Sequence, residues 1–338
     1  MKKTIFVLIV ASLIIISGCS APTADRSQGD QGAPNEKTHL TFADVGWDSI
    51  RIHNAIAGLI AEEVFGYTWD EISGSTPITS EGVISGSIDV HMEMWTDNLA
   101  TYPQDVAEGR LKELSINFDD NFQGLYVPRY VIEGDPERGL EALAPGLNSV
   151  ADLKDYAHLF PDPEDRGMGR IFGGLPGWEV TEITRRKVSY YGLDEMYNYV
   201  EPGSDAAMSA AMISAWDKGE PIVAYYWEPT WLLGMYDFVL LEDAPYNENG
   251  YFEGETAFPA VVVTVCVSND FYASNPDYCD FLKNYRTSSA LTSQALAYMQ
   301  ETGAGYEETA KWFLIENSQL IDQWLDAQQA ETLRNVLN

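Results

Sequence analysis

Ile88-Asp89-Val90-His91-Met92-Glu93-Met94-Trp95 alternates along its length. Val90, Met92 and Met94 fall on one side of an extended chain, and His91, Glu93 and Trp95 on the other. The run ends on a tryptophan, and three other strand-like runs end the same way. They are Leu40-Thr41-Phe42-Ala43-Asp44-Val45-Gly46-Trp47, Ile171-Phe172-Gly173-Gly174-Leu175-Pro176-Gly177-Trp178 and Ile222-Val223-Ala224-Tyr225-Tyr226-Trp227. Ligands of open α/β sheets bind at the carboxyl ends of strands, so four large π-faces delivered there describe a box. Such a box suits a cation too heavily alkylated to hydrogen-bond. The cation is held by dispersion and by the negative faces of the rings, at about 0.5–2 kcal/mol per face. A lone tryptophan is more simply a core residue; it is the repetition at strand ends that points to a site.

Outward from these runs, strand-like and helix-like segments alternate, which predicts an α/β architecture. Residues 40–46 read as a buried strand. Residues 50–65 read as a helix, with Ile52, Ile56, Leu59, Ile60 and Val64 at helical spacing and Gly66 as its stop. A strand over 67–72 and a short helix over 79–85, closed by Gly86, lead into the opening run. Residues 124–132 read as a further strand. A fresh α/β pattern follows: a strand over 169–174, a helix over 181–191, a helix over 205–218 capped by Ser204 and ended by Gly219, and a strand over 221–227. The apolar, β-branched run 258–268 reads as a return crossing, and the chain from Pro276 onward as mostly helical. This is the layout of a two-lobed clamp with ligand between the lobes. The first lobe takes 39–128 and 255–338, and the second 129–254. Trp47 and Trp95 then belong to the first lobe, Trp178 and Trp227 to the second. Trp69, Trp216, Trp231, Trp312 and Trp324 are assigned to packing.

The N-terminus reads as a targeting segment. Lys2 and Lys3 precede the apolar stretch Ile5 to Ile16, too short for a comfortable membrane span. Residues 1–18 are expected to be a signal peptide. Ile16-Ser17-Gly18-Cys19 looks like a bacterial lipobox, with Cys19 the residue that receives lipid. Residues 19–38, rich in Ser, Gly, Gln, Asp and Pro, form a tether. This predicts an extracytoplasmic body anchored to the cell membrane by lipid. The formal charge of −32 over 338 residues makes nucleic acid and anionic headgroups poor partners. Beyond Cys19, Cys266 and Cys279 remain, and the sequence leaves open a disulfide between them or two buried free thiols.

Four motifs resemble one known family. Asp44-Val45-Gly46-Trp47, Gly86-Ser87-Ile88-Asp89-Val90, Pro176-Gly177-Trp178 and Gly219-Glu220-Pro221-Ile222-Val223 with Trp227-Glu228-Pro229 are similar to the substrate-binding proteins of ABC transporters for glycine betaine, proline betaine and choline. The likeness runs in order from about Leu40 to Trp324. It implies a type II periplasmic-binding-protein fold, ABC permease and ATPase subunits as partners, and capture of a methylated amine, glycine betaine first, by lobe closure. The resemblance implies a box of Trp47, Trp95 and Trp227, with Trp178 a fourth face. In choline-binding relatives the place of Trp178 looks polar, and a tyrosine near Tyr126 joins the cage. Two positions depart from the family. Thr230 stands where betaine binders often carry a histidine for the carboxylate. Ser49 stands where choline binders carry an aspartate, with Asp48 one residue earlier. Choline, carnitine, trimethylamine N-oxide and dimethylsulfoniopropionate therefore stay open as ligands.

Around the box, backbone N–H groups at Asp48-Ser49-Ile50 are placed to receive the anionic end of a zwitterion. Glu93 shares the face of Trp95 and is either near the cation or an exposed or paired carboxylate; Asp48 has the same two readings. Tyr126 and Tyr226 are rim candidates. No cofactor and no metal site is expected: His39, His53, His91 and His158 are scattered without ligand spacing. No nucleophile or phosphate-loop motif is present, so an enzyme is not expected. The rival class is a sugar-binding or glycoside-processing lipoprotein, in which the tryptophans stack on sugar rings.

Overall fold

A computed structural model describes residues 38–337. The expected signal peptide, the lipidation site Cys19 and all but the last residue of the tether lie outside the described residues. Ten strands form two five-stranded sheets. In chain order they are β1 (His39–Asp44), β2 (Thr68–Ser73), β3 (Val90–Trp95), β4 (Lys112–Phe118), β5 (Gln123–Pro128), β6 (Gly169–Phe172), β7 (Tyr197–Val200), β8 (Ala224–Trp227), β9 (Phe238–Leu240) and β10 (Val263–Val267). The first sheet has the order β2-β1-β3-β10-β4 and the second β7-β6-β8-β5-β9.

The two sheets repeat one design. Each has a parallel trio, β2-β1-β3 or β7-β6-β8, followed by two antiparallel pairings. In each, the first antiparallel strand arrives from the far side of the other sheet's sequence: β10 enters the first sheet and β5 the second. The expected boundary after residue 128 falls past β5, whose ladder partners are β8 and β9. The chain therefore passes between the sheets at 119–122 and returns at about 255–262.

Local rules place most elements. Helix α1 (Asp48–Phe65) buries Ile52, Ile56, Leu59 and Ile60 and stops at Gly66 in the left-handed region. It begins two residues before expectation, because Trp47 is its extended N-cap. The next helices are α2 (Thr76–Ser85), α3 (Tyr102–Ala107), α4 (Arg129–Glu133), α5 (Glu179–Tyr190) and α6 (Asp205–Lys218). The Ser204 hydroxyl accepts from the Ala207 N–H at 3.1 Å, and Gly219 closes α6. The expected strand over 124–132 ends at Pro128, which has no N–H to continue the ladder, and α4 follows. Helices α7 (Trp231–Met235) and α8 (Glu248–Glu253) complete the middle of the chain. Then α9 (Asn269–Ser274), α10 (Pro276–Asn284), α11 (Ser289–Thr302), α12 (Tyr306–Glu316), α13 (Ser318–Trp324) and α14 (Ala327–Leu337) return to the first sheet, where α10 packs on β4, and α12 and α14 on α1.

The disulfide alternative is corrected: Cys266 and Cys279 are both buried free thiols. They lie in separate apolar clusters. Cys266 on β10 sits against the Tyr102 and Thr264 hydroxyls, whereas Cys279 on α10 belongs to the larger core. All five tryptophans assigned to packing have aromatic neighbours: Trp69 on Phe42, Trp216 beside Tyr130, Tyr236 and Phe238, Trp231 beside Tyr236, Trp312 stacked on Tyr298 and Trp324 stacked on Tyr285.

Candidate functional site

The four strand-end tryptophans meet. Trp95 and Trp227 are the last residues of β3 and β8. Trp47 and Trp178 follow strands through a glycine and serve as N-caps of α1 and α5. Gly46 and Gly177 make this turn with φ of 97° and 88°, a region closed in practice to other residues. Each Gly-Trp dipeptide thus swings an indole off a strand end and leads into a helix. Neither cap satisfies the first helical N–H groups with a side chain. All four indoles are 2–5% exposed.

Three of the rings stand nearly perpendicular to one another. Trp47 and Trp178 make 84° at 5.7 Å between centroids, Trp47 and Trp227 make 73° at 6.2 Å, and Trp178 and Trp227 make 77° at 5.1 Å. Three mutually perpendicular planes form the corner of a box. Trp95, Tyr225 and Asn98 complete the lining of the space between the rings, which pack too closely to admit a water molecule. One side of the corner comes from the first sheet and the other from the second. The Trp178 indole N–H reaches back across the seam and donates to the Thr76 hydroxyl of α2 at 2.9 Å.

Behind the box lies Glu93, fully buried on β3. Its Oε2 accepts from the indole N–H of Trp47 at 2.8 Å, from the Ser49 hydroxyl at 3.1 Å and from the indole N–H of Trp95 at 3.3 Å. Its Oε1 has no hydrogen-bond donor and lies 3.4 Å from His53 Nε2. Burial raises the Glu93 carboxyl to about 7, against the pull of those three donors. Burial also lowers His53 to about 3, so that its ring is neutral. The exposed reading of Glu93 is thereby corrected. It lines no cavity with the indoles; it holds their N–H edges.

A second, narrow cavity of about 10 Å³ shares Trp47 and Trp227 with the box. Asp48, Ser49, Asp205 and Thr230 face it. The Tyr306 hydroxyl donates to Asp48 at 2.7 Å, and the Tyr226 hydroxyl to Asp205 at 3.2 Å. Burial raises Asp205 to about 6, with Asp48 adding like-charge repulsion. Among the described residues no lysine, arginine or histidine lines either cavity. Arg51 is tied to Asp44 through two 3.0 Å hydrogen bonds, and Arg129 is held at the surface by Asp237 and Glu133.

The structure thus brings together Trp47, Trp95, Trp178, Trp227, Asp48 and Ser49, with Glu93 behind them. It does not bring Tyr126 to either cavity. Tyr126 pairs with Ala224 and Leu240 across β5, and its hydroxyl is buried without a partner. Its place on the box is taken by Tyr225, which alternates with it across the β5–β8 ladder. Tyr226 lines the second cavity, as does Trp231, which is corrected from packing. Asp205 and Thr76 carried no sequence signal beyond standing at helix starts. Among the described residues no group of three or more histidine, cysteine, aspartate or glutamate side chains is placed to hold a metal ion.

Comparison with known proteins bears on the family and the fold. The family model described as OpuAC, substrate binding domain of ABC-type glycine betaine transport system, matches residues 38–316. The glycine betaine/proline betaine-binding periplasmic protein of Escherichia coli is 32% identical over 88 residues, which cover 25% of this chain and 26% of that protein. Among solved structures, an ABC-transporter choline binding protein in complex with choline superposes with a TM-score of 0.69 at 21% identity, covering 90% of this chain and 100% of that chain. Lactococcal OpuAC in its closed-liganded conformation with glycine betaine gives 0.66 at 18% identity, covering 85% and 99%. The fold is the two-lobed, type II periplasmic-binding-protein arrangement.

Proposed function

The chain belongs to the family of substrate-binding domains of ABC-type glycine betaine transport systems, a transport family and not an enzymatic one, and on that premise we propose that it captures a quaternary-ammonium solute between its lobes for delivery to a permease. The observation that carries this reading is the corner of three perpendicular indoles built from both sheets. A trimethylammonium group has no N–H to donate, so its binding must come from contact with ring faces in a dry site. We draw the lobes by sheet pairing: the first holds β1 to β4 and β10, the second β5 to β9. The open clamp exposes one pair of tryptophans, and hinge motion at 119–122 and 255–262 brings the other pair down and excludes water. Residues 1–19 support a lipid anchor that keeps the body outside the cytoplasm at the membrane.

Glycine betaine is the first candidate ligand, its carboxylate received by the uncapped N–H groups of α1. Choline is the second reading. Asp48 and Asp205 line the second cavity without a cationic side chain, a setting that favours a hydroxyl donor over a carboxylate. Titration calorimetry against glycine betaine, choline, carnitine and trimethylamine N-oxide separates the two. Binding of none of them better than millimolar, with binding of a sugar or an amino acid, overturns the proposal.

A further inference from the structure

Behind the box, the buried carboxylate lacks a counter-charge. Glu93 is fully buried, and the one ionisable partner the described residues give it is His53, which burial keeps neutral. An unpaired buried carboxylate is costly. Its three donors are all on one oxygen, and two of them are box indoles, Trp47 and Trp95. An acceptor on an indole N–H pushes electron density toward the ring faces, because hydrogen-bonded groups polarise one another. The edges of both rings therefore point at the negative charge and their faces are left for the ligand.

Resting on the reading of the box as a quaternary-ammonium site, we infer that Glu93 is the counter-ion of the bound cation, acting through Trp47 and Trp95 without touching the ligand. It is a positioning residue that sets charge selectivity: with Glu93 ionised, the box prefers a cation over an uncharged group of the same shape. The groups that face it are Trp47, Ser49 and His53 from the start of α1 and Trp95 from its own strand, with the Tyr285 hydroxyl and Thr292 behind His53. His91, on the same strand, is also held neutral by burial.

The test compares choline with 3,3-dimethylbutan-1-ol, and glycine betaine with 3,3-dimethylbutanoate, in which carbon replaces nitrogen. Both members of each pair fill the box equally, so loss of shape alone leaves their affinity ratio unmoved. In Glu93→Gln, which keeps an acceptor for the indoles, the preference for the cation should fall at least tenfold, since a charge one ring away at an effective dielectric of ~20 is worth about that factor or more. An unchanged ratio in folded Glu93→Gln overturns the inference and leaves the ligand class standing. Failure of wild-type protein to bind either cation overturns both. Wild-type protein labelled at glutamate carboxyls supplies a measurement that does not depend on the variant folding. By carbon NMR, the glutamate that titrates near neutrality should drop by at least one pH unit when choline is bound and stay put with 3,3-dimethylbutan-1-ol. A midpoint unmoved by choline refutes the role.

Discussion

Thr76→Val tests whether the box is completed by closure. The Thr76 hydroxyl, at the start of α2, accepts the Trp178 indole N–H at 2.9 Å, and the two residues are 2% and 5% exposed. Thr76 belongs to the lobe of the first sheet and Trp178 to that of the second. Valine keeps the shape and removes the acceptor. With the lobes apart, the indole N–H meets water and the substitution costs nothing. With the lobes together, the N–H is buried without a partner, at a cost of about 1–3 kcal/mol. All of that cost falls on closing, so the dissociation constant should rise about 5- to 150-fold. Calorimetry reads the affinity, and fluorescence transfer between labels on the two lobes reads closure. The melting temperature without ligand should barely move, while the ligand-induced rise in melting temperature shrinks. Binding within twofold of wild type would refute the reasoning, because it would mean that Trp178 does not reach Thr76 in the liganded state.

Trp227 touches Trp47, Trp178, Tyr225 and Tyr226 and lines both cavities. Trp227→Ala should weaken binding at least tenfold by calorimetry, through loss of a desolvated face worth about 2 kcal/mol or more, and Trp227→Phe should restore part of it. Affinity for choline should fall as pH drops from 8 to 5. Glu93 and Asp205 have carboxyls raised to about 7 and about 6, so both are ionised at pH 8 and protonated at pH 5, and protonation removes negative charge that favours the cation. The neutral isostere should show no such slope in the same titrations. Reducing agent should leave the melting temperature unchanged, because Cys266 and Cys279 are free.

Much of the site was legible because strand alternation and Gly-Trp turns are local. The period of two in β3 put Glu93 and Trp95 on one face, and that is where they are. Ser204, Gly66 and Gly219 announced helix ends through cap chemistry alone. The burial of Glu93 was not legible, because alternation tells which face a residue takes, not whether that face is covered. Here both faces of β3 are buried, as in sheets whose two sides carry helices. Tyr126 was misplaced for a related reason. The strand expected over 124–132 straddles the lobe boundary drawn after 128, and only the ladder with β8 reveals that Tyr225 holds the box position. β4, β7 and β9 went unread; β7 and β9 are only four and three residues long, and their apolar pattern is too brief to stand out.

The sequence by itself determined that four indoles stand at strand ends, that the chain alternates strand and helix, and that the charge excludes polyanionic partners. These depend on neighbours in the chain and on composition. Tertiary structure decided everything that needs two distant segments at once: the right angles among Trp47, Trp178 and Trp227, the seam bond from Trp178 to Thr76, and the convergence of Trp47, Ser49 and Trp95 on one oxygen of Glu93. The physical reason is the exchange of β5 and β10 between the sheets. It binds the two halves of the chain into facing lobes, and no local pattern records which residues will then face each other.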